Sequence, residues 1–312
     1  FVGHDRLRHR SRVAQIILRG KPVNTASADQ DVQVVLEETP FYGEMGGQVG
    51  DTGELRGPNG RVVVTTTVRT ANNVTVHQGE VVEGSMAIED IVTATVDKER
   101  HLDIARNHTA THLLQAALRQ VLGEHVRQSG SVVAPHHLTF DFSHPAALTR
   151  EQLSQVQRMV NEKIRQNLTG RDRTMSYQQA REAGALAFFE EKYADEVRVL
   201  VIGRPPVSME LCGGTHVRRT GDIGHFQIVG ESSIGAGLRR IEAVTGRGAE
   251  EFVEQRFGIL EHVAAELKTP AAEIESRIRK LTLNFERRPD SVLLMWAAEI
   301  LETGGEAPAR LG

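Results

Sequence analysis

Three histidines and one cysteine are the residues of this sequence with the clearest potential for chemistry. His108 and His112 lie four residues apart in NHTATHLLQAALRQ, and Cys212 lies four residues before His216 in ELCGGTHVRRTGDIG. Residues four apart on a helix project from one face, at a separation that lets two imidazoles share one ion. One such pair is weak support among 13 histidines, but the second segment contains the only cysteine. We therefore expect the two segments to meet at one metal ion.

The donor set of this expected site indicates zinc. A thiolate with three imidazoles is a borderline-soft set that suits tetrahedral coordination. Gly213 and Gly214 separate Cys212 from His216 and let the backbone bend around an ion. The metalloprotease pattern is excluded, because it has glutamate directly after the first histidine, where Thr109 stands here. Four protein ligands normally close a structural site, so a structural zinc stays open as the alternative to a catalytic one.

The composition is that of a globular chain with two or three domains. It has 312 residues, of which 39% are apolar and 25% charged. No run approaches the roughly 18 to 20 apolar residues of a membrane span, so we expect no membrane contact. A single cysteine suits the reducing cytoplasm, where we place the protein. The net charge of −4 argues against bulk attraction to nucleic acid, so an RNA partner would need a local basic patch. The opening FVGHDRLRHRSR lacks an initiator Met, and we interpret the chain as a piece of a longer protein.

The sequence divides into three zones, which together predict an α+β protein. Residues 1–97 contain β-branched runs of strand length separated by glycine-rich turns, which predicts a small β-barrel or sandwich. Residues 98–248 mix helix and strand patterns, as expected for an α/β core that holds the zinc. Residues 249–312 are helical and are broken at Pro270. The near-heptad pattern of this tail predicts a helical hairpin or the start of a coiled coil, through which the protein could self-associate.

Two elements of the middle zone have clear sequence signals. Thr149 is a predicted N-cap in LTREQLSQVQRMVNEKIRQNL, because Gln152 follows three residues later as in a capping box. The apolar residues of this segment recur on one helical face, at Leu153, Val156, Val160 and Ile164. DEVRVLVIG, in contrast, has the continuous apolar pattern of a buried strand.

Longer stretches around these motifs resemble the alanyl-tRNA synthetase family. Similarity to its editing region is found in RNHTATHLLQAALRQVLGEHVRQSGSVVAP, FDFSHP, MELCGGTHVRRTGDIGHFQI and GLRRIEAVTG. FVGHDRL and PFYGEMGGQVGDTG resemble the β-rich domain that precedes that region, so the similarity extends from about residue 1 to residue 265. Free-standing alanyl-tRNA editing proteins share the core, and the editing domain of threonyl-tRNA synthetases shares the two half-sites.

The resemblance implies zinc-dependent hydrolysis of tRNA(Ala) that carries serine or glycine by mistake, which is the proofreading activity of an alanine–tRNA ligase. A physical reason supports such an activity, because an alanine pocket cannot strongly exclude smaller glycine or an analogue that adds a hydroxyl. The acceptor end of tRNA(Ala) is the implied partner. The alternatives are a non-catalytic tRNA-binding module with a structural zinc, and a free-standing deacylase that edits in trans.

The resemblance also implies roles for single residues. The four zinc ligands of the family fall on His108, His112, Cys212 and His216, in agreement with their spacing. Gln128 falls on a position of the editing pocket, where its amide could hold water or substrate without titrating. Ser129 and Ser131 could bond a seryl hydroxyl, although serines beside a glycine are also common turn residues. The backbone amides of Gly213 and Gly214 are candidates for holding the developing oxyanion.

Arginines near the second half-site are expected to contact RNA, because guanidinium groups suit phosphates and stacked bases. Arg239 and Arg240 are the leading candidates, although in such a pair one residue usually flanks the core. Arg218, Arg219 and Arg247 lie in the same region of the sequence. The opening contributes a second set, for which alternation along a strand is an equal explanation, at Arg6, Arg8, Arg10 and Arg12.

The glycine-rich stretch GEMGGQVGDTG has two interpretations. It lacks the Lys and Ser/Thr ending of a P-loop and does not fit the dinucleotide fingerprint, which argues against nucleotide binding. Its spacing favours hairpin turns, whereas the resemblance places it near the editing core, where Gln48 and Thr52 could matter. The sequence departs from the family at His4, Glu190 and Ala194, which concerns local turn geometry rather than the zinc ligands.

Overall fold

The computed structural model describes residues 1–187 and 195–286. The chain divides into two compact units, Phe1–Glu250 and Glu251–Gly312. The sequence departures at Glu190 and Ala194 lie outside the described residues. The domain boundaries at 97/98 and 248/249 stay predictions.

The first unit opens with a closed β-barrel, which confirms the predicted small barrel. Its strands are β1 Arg8–Leu18, β2 Lys21–Val23, β3 Thr25–Ser27, β4 Gln30–Leu36, β5 Gly53–Arg56, β6 Gly60–Arg69, β7 Thr75–Ala87 and β8 Ile91–Val96. Six of them pair antiparallel in the order β1-β4-β7-β6-β5-β8, and β8 pairs with β1 to close the sheet. Closure removes the free strand edges at which sheets otherwise aggregate.

Alternation of side chains along each strand fills the barrel interior. Val32 and Val34 of β4, and Val62 and Val64 of β6, are buried at every second position and belong to one apolar cluster. This is the period of two that a pleated strand imposes. The same alternation explains the arginine-rich opening, because the arginines of β1 occupy its exposed positions, at Arg8, Arg10 and Arg12.

The rest of the first unit combines helices with two antiparallel sheets. Its elements are α1 Lys98–Leu122, β9 Gln128–Val133, β10 Leu138–Ser143, α2 Arg150–Arg165, β11 Gly170–Ser176, α3 Tyr177–Glu182, β12 Glu196–Ile202, β13 Ser208–Leu211, β14 Phe226–Gly235 and β15 Leu238–Thr245. One sheet has the order β14-β15-β10-β9, and the other has the order β11-β12-β13. The two expected elements are confirmed: α2 begins after Thr149 with a complete capping box to Gln152, and DEVRVLVIG forms β12.

The core between α1 and the four-stranded sheet is aromatic and aliphatic. Leu113, Leu114 and Leu118 of α1 are at most 1% exposed and share a cluster with Phe140 and Phe142 of β10. Burial of one such side chain contributes about 1.5–3 kcal/mol. These contacts hold α1 against the sheet in the part of the helix that directly follows His108 and His112.

Polar bonds fix α1 at its start and near its middle. The carboxylate of Asp97 accepts a backbone N–H of the first turn, which is the usual role of an N-cap. The side-chain amide of Asn107 donates to the carbonyl oxygen of Ala134 at 2.7 Å and accepts from the hydroxyl of Thr245 at 2.7 Å. Because Asn107 is buried, these bonds satisfy its amide and fix the helix relative to the sheet.

The helical tail agrees with the predicted break. α4 covers Gly246–Glu266, a short 3-10 turn covers Ala271–Glu273, and α5 covers Ile274–Glu286. Pro270 lies between α4 and α5. It cannot extend a helix from its N-terminal side, because it has no N–H. None of the helices in the described ranges is long and apolar enough to span a membrane.

Candidate metal centre

The two predicted half-sites converge on one point. α1 presents His108 and His112 from one face, with their ring centroids 5.4 Å apart. The chain leaves β13 at Leu211 and turns at once to present Cys212 and then His216. The Sγ atom of Cys212 lies 3.4 Å from Nε2 of His108 and 3.2 Å from Nε2 of His216. One ligand atom from each of the four residues lies within 4.8 Å of the others, so all four can reach a common ion.

Each histidine has an acceptor at the ring nitrogen that faces away from this point. Nδ1 of His108 donates to Oε1 of Gln48 at 2.7 Å, and Nδ1 of His112 donates to Oε2 of Glu210 at 2.7 Å. Nδ1 of His216 lies 3.4 Å from the hydroxyl oxygen of Thr109. A proton held at Nδ1 leaves the lone pair on Nε2, which is the form that binds a metal.

The hydroxyl of Thr109 is itself fixed. It donates to the carbonyl oxygen of Ala105 one turn earlier at 2.8 Å and accepts from the N–H of Val217 at 3.1 Å. Because its one proton is already used, Thr109 can only accept from His216. The residue that excludes the metalloprotease pattern is therefore part of the support of the third histidine.

The arrangement of these four side chains favours a bound cation over a site without one. Nε2 of His112 is buried and has no hydrogen-bond partner among the described residues. A buried polar atom without a partner costs about 1–3 kcal/mol, and a metal ion would satisfy it. The Cys212 thiolate and the Glu210 carboxylate also provide two negative charges, which match a divalent ion. The ligand set and its surroundings thus fit zinc.

Burial and the charges of neighbouring side chains shift the pKa values within the cluster. Burial opposes ionisation of Cys212, but its electrostatic interactions with His108, His216 and His112, and its hydrogen bond with His108, lower its pKa well below the ordinary 9.0. Burial also lowers the pKa of His216 to about 3. For His112, burial works against the charged form, yet Glu210 and Cys212 raise its pKa to about 10. The negative surroundings of His112 therefore favour a cation at Nε2, either a proton or a metal.

Gly214 is a glycine because His108 occupies the space of a side chain. A Cβ at Gly214 would lie 2.1 Å from Cε1 of His108 and 2.6 Å from Oε1 of Gln48. At Gly213, in contrast, a Cβ would meet only Cε of Met45 at 3.7 Å, an ordinary contact. Neither glycine N–H donates to a residue in the described ranges; Gly213 is exposed, whereas Gly214 is buried.

Arg198 of β12 supports the turn that contains the cysteine. Its guanidinium donates to the carbonyl oxygens of Cys212 at 3.2 Å and Gly214 at 2.5 Å, and to Oδ2 of Asp172 at 2.6 Å. The carbonyl oxygen of Arg198 accepts from the N–H of Cys212 at 3.0 Å. β12 therefore holds the second half-site on both its donor and its acceptor side.

The glycine-rich stretch forms a tight turn that packs on β9. Gly46 and Gly47 both have positive φ, and Met45 and Gln48 pair across them. A Cβ at Gly47 would lie 2.2 Å from the carbonyl oxygen of Ser131. Gln48 also forms a parallel bridge with Val133 of β9. The turn of the barrel region thereby reaches His108, one of the two candidate ligands on α1.

Gln128, Ser129 and Ser131 lie on β9, whereas Thr52 directly precedes β5. Gln128 and Ser131 are joined by a hydrogen bond of 3.0 Å from Nε2 to the hydroxyl, and both are half-buried. Ser129 is exposed. Thr52 is half-buried, and its carbonyl oxygen accepts from the N–H of Asp97 at 2.8 Å. The pocket roles of these residues stay predictions.

The arginines expected to contact RNA are ion-paired within the protein. Arg239 pairs with Glu231 on the neighbouring strand, and Arg240 makes a bidentate pair with Asp141 at 2.6 and 2.8 Å. Arg247 pairs with two carboxylates of α1. Arg218 and Arg219 are exposed and have no ion pair within residues 1–187 and 195–286. An RNA contact by any of these arginines remains a prediction.

Sequence reasoning missed the supporting residues more than the ligands. Glu210 stands two residues before Cys212. Its alternation with Met209 along β13, which makes it a buried position of that strand, is the pattern that could have indicated a supporting role. The sequence indicates Gln48 only for the pocket, and Thr109 only as the residue that excludes another motif. Arg198 had no signal, because its contacts join β12 to a separate turn.

Two protein families match this chain. The family described as "tRNA synthetases class II (A)" matches residues 1–100. The family described as "Threonyl and Alanyl tRNA synthetase second additional domain" matches residues 197–242, a range that includes Cys212 and His216.

Full-length relatives extend the similarity over most of the chain. The alanine–tRNA ligase of Dehalococcoides mccartyi is 48% identical over 298 residues, which covers 92% of this chain and 34% of that protein. Those of Chloroflexus aurantiacus and Desulfosudis oleivorans are 47% and 44% identical, covering 92% and 90% of this chain and 33% and 32% of the relatives. The chain thus spans about a third of the length of the curated relatives it matches. On these matches, the chain belongs to the alanyl-tRNA synthetase family.

Proposed function

We propose that this chain hydrolyses the ester bond of tRNA(Ala) mischarged with serine or glycine, and that the reaction depends on zinc. His108, His112, Cys212 and His216 would bind the ion. The observation that carries the proposal is the convergence of four suitable ligand atoms within 4.8 Å. The relatives named alanine–tRNA ligase and the match to the second additional domain supply the substrate class.

The reaction would need an electrophile, a held substrate and a stabilised oxyanion. Bound zinc would supply Lewis acidity, which polarises a carbonyl or lowers the pKa of water. The free N–H groups of Gly213 and Gly214 would donate to the oxyanion that forms when water adds to the ester. Gln128, which bonds Ser131, would hold water or a seryl hydroxyl through a group that does not titrate. Ser129 is exposed on the same strand and is the further candidate for a substrate contact.

The proton of the attacking water must go to a group other than Glu210. That carboxylate is 3% exposed and is occupied on both oxygens, since it accepts from His112 at 2.7 Å and from the hydroxyl of Ser208 at 2.7 Å. Glu210 therefore supports a ligand rather than meeting solvent. The ribose hydroxyl beside the ester, which the substrate itself would bring to the site, would accept this proton while passing its own to the ribose oxygen that leaves when the ester bond breaks.

The acceptor end of tRNA(Ala) is the proposed partner. Contact by Arg239 or Arg240 would require each guanidinium to share the carboxylate that it already binds. Arg218 and Arg219 are exposed and would be open to phosphate without that exchange. Location in the cytoplasm and self-association through residues 249–312 remain predictions from the sequence.

The test is deacylation of seryl-, glycyl- and alanyl-tRNA(Ala) by the purified chain. We expect hydrolysis of the first two, sparing of alanyl-tRNA(Ala), and loss of activity in Cys212→Ala with its zinc. Thermal unfolding of the variant has to show a folded protein for that loss to count. Hydrolysis of all three esters at equal rates would refute a proofreading role.

A non-catalytic tRNA-binding module is the second candidate, because four protein ligands are the usual number of a closed structural zinc site. It predicts tRNA binding without hydrolysis in the intact protein. A folded Cys212→Ala variant that has lost its zinc and still hydrolyses seryl-tRNA(Ala) would assign the zinc to structure alone, in a protein that is nevertheless a deacylase. A free-standing deacylase that edits in trans would have the same site chemistry as the main proposal.

A further inference from the structure

Gln48 bonds both to α1 and to residues 212–216, which we call the cysteine turn, although it belongs to neither of them. It lies in the glycine turn of the barrel region, 60 positions before His108 and 167 before Thr215. Its side chain is completely buried. A buried amide at such a junction either has a definite bonding role or lowers stability, since it needs partners.

The bonds of Gln48 fix its amide in one orientation. Oε1 accepts from the backbone N–H of Thr215 at 2.9 Å, and Nε2 donates to the hydroxyl oxygen of Thr215 at 2.9 Å. A backbone N–H can only donate, so the atom opposite it must be the oxygen. The same Oε1 lies 2.7 Å from Nδ1 of His108. His108 must therefore donate from Nδ1, which leaves the Nε2 lone pair directed to the cluster.

We propose that Gln48 is a positioning residue of the metal centre, which fixes His108 in the metal-binding tautomer and holds the cysteine turn against it. The inference rests on the proposed zinc site. It gives the glycine turn a role in metal binding, since Gln48 reaches the site only because that turn packs on β9. The N–H of Gln48 donates to the carbonyl oxygen of Met45 at 3.1 Å, and the next N–H, of Val49, donates to the carbonyl oxygen of Val133 at 3.1 Å.

The two substitutions that test the proposal separate acceptor chemistry from packing. Gln48→Met keeps the length of the side chain and removes every hydrogen bond of the amide. Gln48→Glu keeps an acceptor for His108 and for the N–H of Thr215, while the hydroxyl of Thr215 can turn to donate. Loss of the partner of a metal-binding histidine typically weakens metal affinity about 10–100-fold. We expect that loss in Gln48→Met and an affinity at least equal to that of the wild type in Gln48→Glu.

A matched control exists at Gln157 of α2. Its Oε1 likewise accepts from a backbone N–H, that of Ile228 at 2.9 Å, and from a side chain, Nε2 of Gln227 at 3.0 Å. Gln157 contacts no proposed ligand. Gln157→Met should therefore lower the unfolding temperature without weakening zinc binding.

The measurements are zinc affinity by competition with a chromophoric chelator, and the visible absorption of the Co²⁺-substituted protein. We expect one tight zinc per wild-type chain, and in Gln48→Met a weaker site with an altered Co²⁺ spectrum. Wild-type affinity and spectrum in Gln48→Met would overturn the role of Gln48 and leave the proposed function intact. Equal weakening in Gln48→Glu or in Gln157→Met would overturn it too, because packing would then explain the effect. A wild-type protein that binds no zinc would overturn the proposed function together with this inference.

Discussion

Substitution of Gly214 by alanine is the most direct test of the close packing at the metal centre. The added Cβ would lie 2.1 Å from Cε1 and 2.4 Å from Nδ1 of His108, and 2.6 Å from Oε1 of Gln48. Ordinary contacts of a Cβ begin at 3.4 Å, so the imidazole must recede by about 1 Å or the cysteine turn must open by as much.

The size of the expected effect follows from the tolerance of zinc coordination. Zinc–nitrogen distances lie near 2.0–2.1 Å and functional sites keep them within about 0.2 Å, so a displacement of about 1 Å removes His108 from the ligand set. Gly214→Ala should weaken zinc binding at least about 10–100-fold. The overpacking alone should lower the free energy of unfolding by about 1–3 kcal/mol.

The assay compares Gly214→Ala with Gly213→Ala. Both variants gain one methyl group in the same turn, but the methyl group at position 213 meets only Met45 at 3.7 Å. Chelator competition and chemical denaturation should show a loss for Gly214→Ala and values near the wild type for Gly213→Ala. Unchanged zinc affinity in Gly214→Ala would refute the idea that this turn and His108 are held in mutual contact.

Three further predictions test the support and the core. Glu210→Gln keeps the shape of the residue but removes the charge that favours a cation at His112, so chelator competition should show zinc affinity about 10-fold weaker; an unchanged affinity would contradict the charge-matching argument. Burial lowers the pKa of His77 to about 4 from 6.5, so only the unfolded chain gains the proton between these values. The free energy of unfolding should therefore decrease as the pH is lowered from 6.5 to about 4, by about 3 kcal/mol more in the wild type than in His77→Gln, as measured by urea denaturation at several pH values. Equal pH dependence in the two proteins would show that another group dominates. Phe140→Ala should cost about 3–5 kcal/mol in the same assay, because Phe140 is 0% exposed between α1 and the sheet; a loss below 1 kcal/mol would mean that the core collapses around the gap.

The sign of the His77 prediction comes from burial, which lowers the pKa of the ring although its hydrogen bond to Val34 acts to raise it. Nδ1 of His77 donates to the carbonyl oxygen of Val34 at 2.9 Å, and Nε2 lies 2.7 Å from the hydroxyl of Thr39. The hydroxyl of Thr39 can donate to Nε2 of a neutral His77, whereas protonation of Nε2 would place a charge in the barrel interior, where burial disfavours it. A folded state with a lowered histidine pKa is most stable above the ordinary pKa and loses that stability as pH falls toward the lowered one.

Local patterns in the sequence predicted the elements whose causes are local. The capping box at Thr149 and Gln152, the buried strand DEVRVLVIG and the break at Pro270 are all found where the sequence places them. Each depends on hydrogen bonds or steric limits within a few residues. The metal ligands belong to the same class in part, because the spacing of four within each half-site is a property of one helix or one turn.

The supports of the site depend on contacts that no local pattern contains. Gln48 reaches His108 across 60 positions, and Glu210 reaches His112 across 98. The arginines of β15 show the same limit, since the sequence predicts cations but not the carboxylates of Glu231 and Asp141 that pair with them.

The sequence by itself determined the β-strand character of residues 1–97, the main helices and the four candidate donor residues, because β-branched runs, caps and spacing act over short distances. The sequence leads to the expectation that the half-sites meet. The tertiary structure alone decided which nitrogen of each histidine faces the cluster, and that a turn from the barrel supports it. The physical reason is that the lone pair available at each ring is set by the acceptor on its other side, and those acceptors become neighbours only when the chain is folded.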